Sequence, residues 1–395
     1  MRRPTYAVRA GLPLALALAL ALTLALTLAA CGSDDPAADP EPTSSPTTSS
    51  APASTPPSSP SDSPTTSDAP TLPEGGPADE PVAATPTDAL LDWEPAPGPV
   101  RDSVTRNGSG WSLTVTRSGG SYALDGPDGS SGGARSGTRV SDALIDDDWA
   151  VVVLQDQAEQ RPSSAEVTDL ATGTSFTIDG RSDVPTTTGG TWALGEGRVL
   201  YATYGPGRAY CLAALDLATQ RSTRGWCAEK RQGFNGAHIT PAGDALQTFD
   251  DSAPACRTLV SVSGDQATPF EGVPDCSGWD GQVTDDGAVW SVIPKENQVE
   301  NAHFYARVGD GYYDLGPGTS GTLTWCGGAS YFVRDPQREG EPAALMRWSA
   351  DDGLAVVYES PGGQAFLGEP RCGGSTMTVT ALAEGGDEQV TAALS

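Results

Sequence analysis

The chain has 395 residues, of which 47 are Gly and 33 are Pro, and only 19% of its residues are charged. This composition disfavours helical bundles and coiled coils, which are rich in Ala, Glu, Lys and Leu at helical spacing. The chain has 51 acidic and 23 basic residues, so its formal net charge is −28. A surface of this charge repels phosphate backbones, and nucleic acid is therefore not an expected partner.

Residues 1–30 have the three parts of an export signal. Arg2, Arg3 and Arg9 form a positive end, an apolar run covers 12–28, and small residues follow. The end, Leu28-Ala29-Ala30-Cys31, resembles the lipobox of bacterial lipoproteins. The resemblance implies that Cys31 carries the lipid, with palmitate among its acyl chains, and anchors the protein to the extracytoplasmic face of the cell membrane. The alternative is an uncleaved transmembrane anchor, because the apolar stretch is almost long enough to span a bilayer.

Residues 31–98 are predicted to be a disordered tether. Sixteen Pro and no Lys or Arg occur between residues 34 and 98. Runs of Pro, Ser and Thr bury too little apolar surface to offset the entropy lost on ordering. We expect an extended spacer that holds a folded domain, residues 99–395, away from the membrane. Residues 89–93 regain apolar character and are candidates to pack on that domain.

Seven short β-like segments recur in residues 99–395 at an average spacing of about 44 residues. Each follows a Gly or Asp turn, and they begin at Trp111, Trp149, Arg198, Asp244, Ala288, Ala329 and Ser375. Such a period, with several strands and no helical stretch, is typical of a β-propeller. The predicted fold is all-β: a seven-bladed β-propeller with four strands per blade, although six or eight blades also fit the pattern.

A closed ring must cover the edges of its first and last sheets, and residues 89–94 are one candidate for the strand that does so. A pair of β-sandwiches would not explain the fixed period, and solenoid repeats are shorter. The turns Pro241-Ala242-Gly243 and Asp285-Asp286-Gly287 resemble those of exported TolB-type and WD-repeat-like propellers. The resemblance implies the fold alone, because the Gly-His dipeptide of true WD repeats is missing and a Trp-Asp dipeptide does not recur with the repeat, occurring once at Trp279-Asp280.

Six Cys follow Cys31, and an even number in an oxidising compartment indicates disulfides. Cys211 and Cys227 fall on the third and fourth strands of one repeat, and Cys256 and Cys276 are expected to do so in the next. Cys326 and Cys372 occupy the same Cys-Gly-Gly position one repeat apart, which predicts a bridge between adjacent blades. The predicted pairs are Cys211–Cys227, Cys256–Cys276 and Cys326–Cys372.

Motifs for catalysis are weak. His238 and His303 lie far apart and lack the spacing of a zinc hydrolase. The segments 129–133 and 316–321 formally match a nucleophile elbow and a dinucleotide loop, but neither is followed by the helix that these motifs need. We expect no metal and no cofactor.

The loops that lead into the first strand of each blade converge on one face of a propeller. Aromatic and polar side chains in these loops suit a sugar or another small polar ligand. The candidate ligand-binding residues are Phe234, Asn235, Trp279, Asp280, Thr319, Ser320 and Phe366. The alternative for the aromatic members is that they wedge adjacent blades together.

We therefore predict a monomeric, membrane-anchored lipoprotein whose propeller binds an envelope protein, a glycan or a small polar ligand. The alternative is an enzyme, either a lyase or a glycoside hydrolase, that uses the axial funnel. Its candidate acids are Asp183, Asp280 and Glu369, and a hydrolase would need two carboxyl groups about 5–9.5 Å apart.

Overall fold

The computed structural model describes residues 72–394 except Pro97, Asp128, Ala134, Glu296 and Asn297. The predicted signal peptide, Cys31 and the tether up to residue 71 lie outside the described residues. The described residues fall within one compact unit. Within these ranges, no helix has the length and apolar character needed to cross a membrane. Their helical structure is limited to the 3-10 turns Pro206–Arg208 and Val299–Asn301.

The strands fall into seven sheets, preceded by three short strands near the start of the described chain. The first three strands are β1 (Val82–Ala83), β2 (Thr87–Asp88) and β3 (Glu94–Pro95). Blade 1 contains β4 (Ser103–Arg106), β5 (Ser112–Val115), β6 (Tyr122–Gly126) and β7 (Gly129–Gly133). Blade 2 contains β8 (Thr138–Ile145), β9 (Trp149–Asp156), β10 (Ser164–Asp169) and β11 (Ser175–Ile178). Blade 3 contains β12 (Trp192–Gly195), β13 (Arg198–Tyr204), β14 (Tyr210–Asp216) and β15 (Arg221–Cys227).

The remaining blades follow the same order along the chain. Blade 4 contains β16 (Gln232–Thr240), β17 (Gly243–Asp250), β18 (Arg257–Ser263) and β19 (Gln266–Pro269). Blade 5 contains β20 (Gly278–Thr284), β21 (Gly287–Val292), β22 (Ala302–Val308) and β23 (Gly311–Gly318). Blade 6 contains β24 (Thr324–Cys326), β25 (Ala329–Arg334), β26 (Ala344–Ser349) and β27 (Gly353–Glu359). Blade 7 contains β28 (Ala365–Leu367), β29 (Arg371–Cys372), β30 (Thr376–Ala383) and β31 (Glu388–Ala393).

Within each blade, consecutive strands pair in antiparallel fashion, and the first strand is the innermost. Blade 7 differs, because its inner strand is divided into β28 and β29, which both pair with β30. The seven segments that recur in the sequence are the second strands of the seven blades. The predicted all-β, seven-bladed propeller is confirmed.

The turn before each second strand is tight, and five of the seven turn residues are Gly with a positive φ angle. At Gly374 a Cβ atom would also lie 2.5 Å from the carboxyl group of Asp147 in blade 2, so a larger residue would clash there. Glycine tolerates such backbone angles without steric cost, which explains why it marks the repeat in the sequence. The other four turn glycines are Gly110, Gly197, Gly243 and Gly328.

The core lies between the faces of adjacent blades. Apolar side chains that alternate along the strands of one blade pack against those of the next. Between blades 5 and 6, for example, the rings of Phe304 and Phe332 stack with their centroids 4.1 Å apart. Each blade therefore depends on its two neighbours, which is why the ring must be closed.

The segment 72–96, which we call the strap, runs along the outer edges of the last three blades. Strand β1 pairs in parallel with β23 of blade 5, β2 pairs in parallel with β27 of blade 6, and β3 pairs antiparallel with β31 of blade 7. Blade 7 thus takes its fourth strand from Glu94–Pro95, at the end of the segment proposed from the sequence. The ordered chain accordingly includes residues that we assigned to the tether (31–98), because β-pairing here offsets the entropy of ordering.

Apolar side chains on alternate residues hold the strap to blades 6 and 7. Ala89, Leu91 and Trp93 pack against the buried cluster between these blades. The Trp93 Nε1–H donates to the carbonyl of Val357 at 2.7 Å, and its ring meets that of Tyr358 edge to face at 5.2 Å. Trp93 is therefore the main anchor of the strap.

Replacing Trp93 by Ala should lower the free energy of unfolding by about 2 kcal/mol, because it removes this half-buried ring and its hydrogen bond. The matched control is Leu90→Ala, since Leu90 lies in the same segment but is 60% exposed; its effect should stay within about 0.5 kcal/mol. Urea unfolding followed by tryptophan fluorescence and circular dichroism measures both. Equal stability of the two variants would show that the strap does not contribute to ring closure.

Three disulfides link the six Cys in the predicted pairs. Cys211 and Cys227 are directly opposite on β14 and β15. Cys326 on β24 and Cys372 on β29 join the inner strands of blades 6 and 7, as predicted.

The position of Cys276 was predicted wrongly. This residue does not lie on the fourth strand of blade 4, because that strand, β19, ends at Pro269. It lies in the loop that leads into β20 of blade 5, while Cys256 precedes the third strand of blade 4, β18. This disulfide therefore ties blade 4 to the loop that leaves it.

Candidate functional site

The inner strands of six blades line an axial cavity of about 190 Å³. Its lining includes Thr105, Leu144, Ala193, His238, Thr324 and Arg371, one from each of these blades. Burial lowers the pKa of His238 to about 4, so its imidazole is neutral at physiological pH. Its Nδ1 lies 3.4 Å from the side-chain amide of Gln282, which is consistent with the structural role expected from the sequence.

A wider cavity of about 800 Å³, which we call the mouth, adjoins the axial cavity. It lies at the end where the inner strands of blades 1 and 2 begin, and it extends to blade 7. Its polar and charged lining consists of Arg101, Ser103, Thr116, Arg117, Ser118, Arg139, Ser141, Asp142, Gln155, Glu369 and Arg371. The mouth and the axial cavity share Ala143, Leu144, Glu369 and Arg371, so they form a continuous space.

A second opening of about 340 Å³, which we call the seam cleft, lies between blade 7 and blade 1. Arg101, Ser103, Arg117, Glu369 and Arg371 line both this cleft and the mouth. The seam cleft adds the apolar side chain of Leu382 and the hydroxyl of Thr380, together with Val100, Asp102, Gly368 and Asp387. A ligand could therefore extend from the seam cleft into the mouth.

Four arginines surround the mouth, and the fold positions each differently. Arg139, near the start of β8, donates through Nη2 to Oε1 of Gln155 at 3.0 Å. Gln155 is itself buried, and its amide nitrogen donates to the carbonyl of Thr188 at 3.1 Å. This chain of hydrogen bonds fixes the Arg139 guanidinium at the rim.

The other three arginines lie at the seam. The Nε of Arg101 is 3.1 Å from Asp387 of blade 7, and Nη2 of Arg371 is 4.0 Å from Glu369. The backbone N–H of Arg117 donates to Asp102 at 3.0 Å. In the part of the chain that the structure describes, its exposed guanidinium has neither a hydrogen bond nor an ion pair.

Two half-buried carboxyl groups on inner strands have raised pKa values. Burial raises the pKa of Asp142 on β8 to about 6, and the charge of Glu369 adds to this, although Ser141 and Arg371 oppose it. Burial likewise raises the pKa of Asp280 on β20 to about 6, with a contribution from Glu369. Glu369 thus acts electrostatically on carboxyl groups from two other blades.

The pKa of Asp142 has a consequence for stability. The folded protein holds this proton more tightly than the unfolded chain, so it binds more protons between about pH 4 and pH 6. The stabilisation of the folded state by this bound proton is complete below about pH 4 and is lost as the pH rises through 6.

The variant Asp142→Asn removes this dependence. At pH 7.5 it should unfold a few degrees above the wild type, which corresponds to at most about 2 kcal/mol, and at pH 4 the two should coincide. Thermal unfolding across this pH range measures the difference. Asp285→Asn, in an exposed turn, is the matched control and should give no such gain. A gain in stability that is the same at both pH values would contradict a raised pKa of Asp142 as its cause.

The predicted ligand residues are distributed over blades 4, 5 and 7 and the loop into blade 6. Phe234 is 1% exposed and packs against Tyr210 and Trp226 between blades 3 and 4. Trp279 is half-buried, with the guanidinium of Arg257 4.9 Å from its ring. These two aromatics have the wedging role, whereas Phe366 is 65% exposed.

The polar residues among the predicted ligand-binding residues also differ in their contacts and exposure. A carboxylate oxygen of Asp280 accepts from the backbone N–H of Gly321 at 2.7 Å and from Ser291 at 3.0 Å, which holds blade 5 to the loop into blade 6. Thr319 donates to Asp335 at 2.7 Å. Asn235 is exposed and Ser320 is half-buried.

The structure thus does not gather the seven candidates around one opening. The linings of the mouth and the seam cleft contain none of them. The seven candidates follow Gly positions in the later repeats, and those positions do not point to the arginines of the mouth and the seam cleft. A usable signal was present: Arg139 and Arg371 are charged residues within inner strands, where apolar and small side chains would otherwise be expected.

Of the candidate acids, only Glu369 lines the mouth. Asp183 is exposed in the loop between blades 2 and 3, and Asp280 is hydrogen-bonded as described. Within residues 72–394, apart from the five undescribed positions, no group of three or more His, Cys, Asp or Glu side chains could hold a metal ion.

No protein-family model matches this sequence, and no curated protein matches it. Among solved structures, the chain is similar to the β-propeller domain of the Trilobed protease from Pyrococcus furiosus, with 10% identity and a TM-score of 0.49 over 74% of this chain and 95% of that one. It is also similar to TolB from Acinetobacter baumannii (11%, TM-score 0.37, 74% and 78% covered). A third is an oligogalacturonate lyase in complex with manganese (11%, TM-score 0.39, 72% and 74% covered). These likenesses carry no statement about function. The seven radially arranged sheets of the structure itself define the chain as a seven-bladed β-propeller protein.

Proposed function

We propose that this protein is a membrane-anchored extracytoplasmic lipoprotein whose propeller is a binding module, and that its ligand occupies the mouth. The observation that carries the proposal is the cavity of about 800 Å³ with a charged lining at one end of the axis. Its volume lies within the range of known ligand sites, which is about 300–1,000 Å³. The lipobox-like segment that ends at Cys31 supports the anchor.

The position of the strap is compatible with anchoring and binding at the same time. Strand β1 lies on the outer edge of blade 5, and the strap residues line neither the mouth nor the seam cleft. A tether that arrives by this route leaves both openings free. The bound partner would be an envelope protein, a glycan or a small polar molecule.

The anchor is tested with Cys31→Ser in the full chain. Without the thiol no lipid can be attached, so the protein should move from the membrane fraction into the soluble fraction, and labelling with radioactive palmitate should disappear. The matched control is Cys31→Ser with an added C-terminal transmembrane helix, which should return to the membrane. Retention of Cys31→Ser in the membrane would instead indicate an uncleaved transmembrane anchor.

Binding at the mouth is tested by filling it. Ser141 is exposed and lines the mouth, so Ser141→Trp should weaken ligand capture at least about tenfold on glycan arrays and in envelope pull-downs. The matched control is Thr223→Trp, an exposed position on the outer strand of blade 3 that should leave capture unchanged. If both variants capture ligand equally, the mouth is not the binding site.

A second candidate function is catalysis in the axial funnel. The observation that favours it is the pair of Asp142 and Glu369, which both line the mouth beside the axial cavity. Burial raises the pKa of Asp142 to about 6, and a carboxyl group that keeps part of its protons near neutral pH can serve as a general acid. The captured ligand distinguishes the two functions. A binding module releases it unchanged, whereas an enzyme releases a cleaved product.

A further inference from the structure

We infer that the ligand of the mouth is an anionic glycan, a sugar that carries an oxyanion, with its charged group on the seam arginines and a sugar face on Phe366. The inference rests on the proposed function, since it requires that the mouth bind a ligand. It adds the chemical class of that ligand and the residues that select it.

The mouth has a different charge balance from the rest of the protein. The chain has more than twice as many acidic as basic residues, yet four arginines and two carboxyl groups, Asp142 and Glu369, line the mouth. The seam cleft adds the carboxyl groups of Asp102 and Asp387, so the two openings together have as many arginines as carboxyl groups. An anion is therefore favoured here over the rest of this acidic surface.

The arginines at the seam are available to a ligand. Arg101, with its side chain 66% exposed, and Arg371 are held only by surface ion pairs, which contribute little to stability. A ligand oxyanion can replace Asp387 or Glu369 at modest cost. Arg117 has no side-chain partner among the described residues, so its guanidinium can bind an oxyanion directly, with two parallel hydrogen bonds.

An exposed apolar surface lies beside these charges. Phe366 on β28 and Leu382 on β30 are directly opposite each other, 65% and 44% exposed, and Leu382 lines the seam cleft. Opposite residues of an antiparallel pair present their side chains on the same face. An aromatic ring suits the apolar face of a pyranose, and Ser103 and Thr380 offer hydroxyl groups for hydrogen bonds to the sugar.

These features together select against other anions. An inorganic anion would not need the exposed pair of Phe366 and Leu382. A sugar with a carboxylate or a phosphate uses both the arginines and the apolar face, and the two kinds of oxyanion are separated by experiment.

The probe is titrated into the purified full chain in detergent by isothermal titration calorimetry. A hyaluronan tetrasaccharide supplies the carboxylate, N-acetylglucosamine 6-phosphate supplies the phosphate, and chitotetraose is the uncharged control. We expect at least one charged sugar to bind at least about tenfold more tightly than chitotetraose, and this preference to weaken as the salt concentration rises. The stronger of the two charged probes identifies the oxyanion.

The residues are tested with Arg117→Gln and Phe366→Ala, each of which should weaken binding of the charged sugar about tenfold. The two side chains are exposed, so both variants should fold, and circular dichroism checks this. Arg338→Gln is the matched control, because Arg338 is an exposed arginine whose side chain is 85% accessible and lies outside both openings.

The inference is wrong if chitotetraose binds as tightly as the charged sugars, if an acidic peptide binds more tightly than both, or if neither Arg117→Gln nor Phe366→Ala changes the affinity. In these cases Ser141→Trp still decides the proposed function separately. Loss of capture in Ser141→Trp with no preference for charged sugars keeps the mouth as a binding site and rejects only the ligand class.

Discussion

The packing of each blade against two neighbours makes closure of the ring the constraint on which this structure depends. The free edge is covered where β3 pairs with β31, through Glu94 with Thr391 and Pro95 with Val390. At the seam between blades 7 and 1, the Gln389 amide donates to the carbonyl of Asp102. On its other side, blade 7 is joined to blade 6 by the Cys326–Cys372 disulfide. A short strand with few hydrogen bonds therefore completes a circle that the apolar contacts between blades then stabilise.

Closure also builds the candidate site. Arg101 and Arg117 come from the first blade region and Glu369 and Arg371 from the last, so only the seam brings them to one cleft. The ion pair between Arg101 and Asp387 crosses this seam over 286 residues of sequence. The arginines and carboxyl groups of the mouth are thus a product of the ring, and changes at the strap should affect the site through the seam.

The fold could be read from the sequence because its signals are local and repeated. A tight turn that needs a positive φ angle selects Gly, and the strand after it is a mostly apolar run because it is buried between two neighbouring blades, as in β9 and β25. Each blade therefore leaves a similar pattern. The pairings of the cysteines followed from the same period. The position of Cys276 could not be read in this way, because the length of β19 depends on where Pro269 ends its pairing with β18.

The residues of the candidate site were harder to predict from the sequence than the fold was, and the reason is physical. Sequence alone determined the apolar run near the N-terminus, the Pro-, Ser- and Thr-rich composition that follows it, the repeat and the excess of acidic residues, since each of these is a property of local sequence or of composition. Only the tertiary structure decided that Phe234 is buried between blades whereas Phe366 is exposed, and that Arg117 and Arg371 line the same opening. Such neighbours belong to blades that are distant in the chain, and their proximity follows from the geometry of a closed ring, which no local pattern encodes.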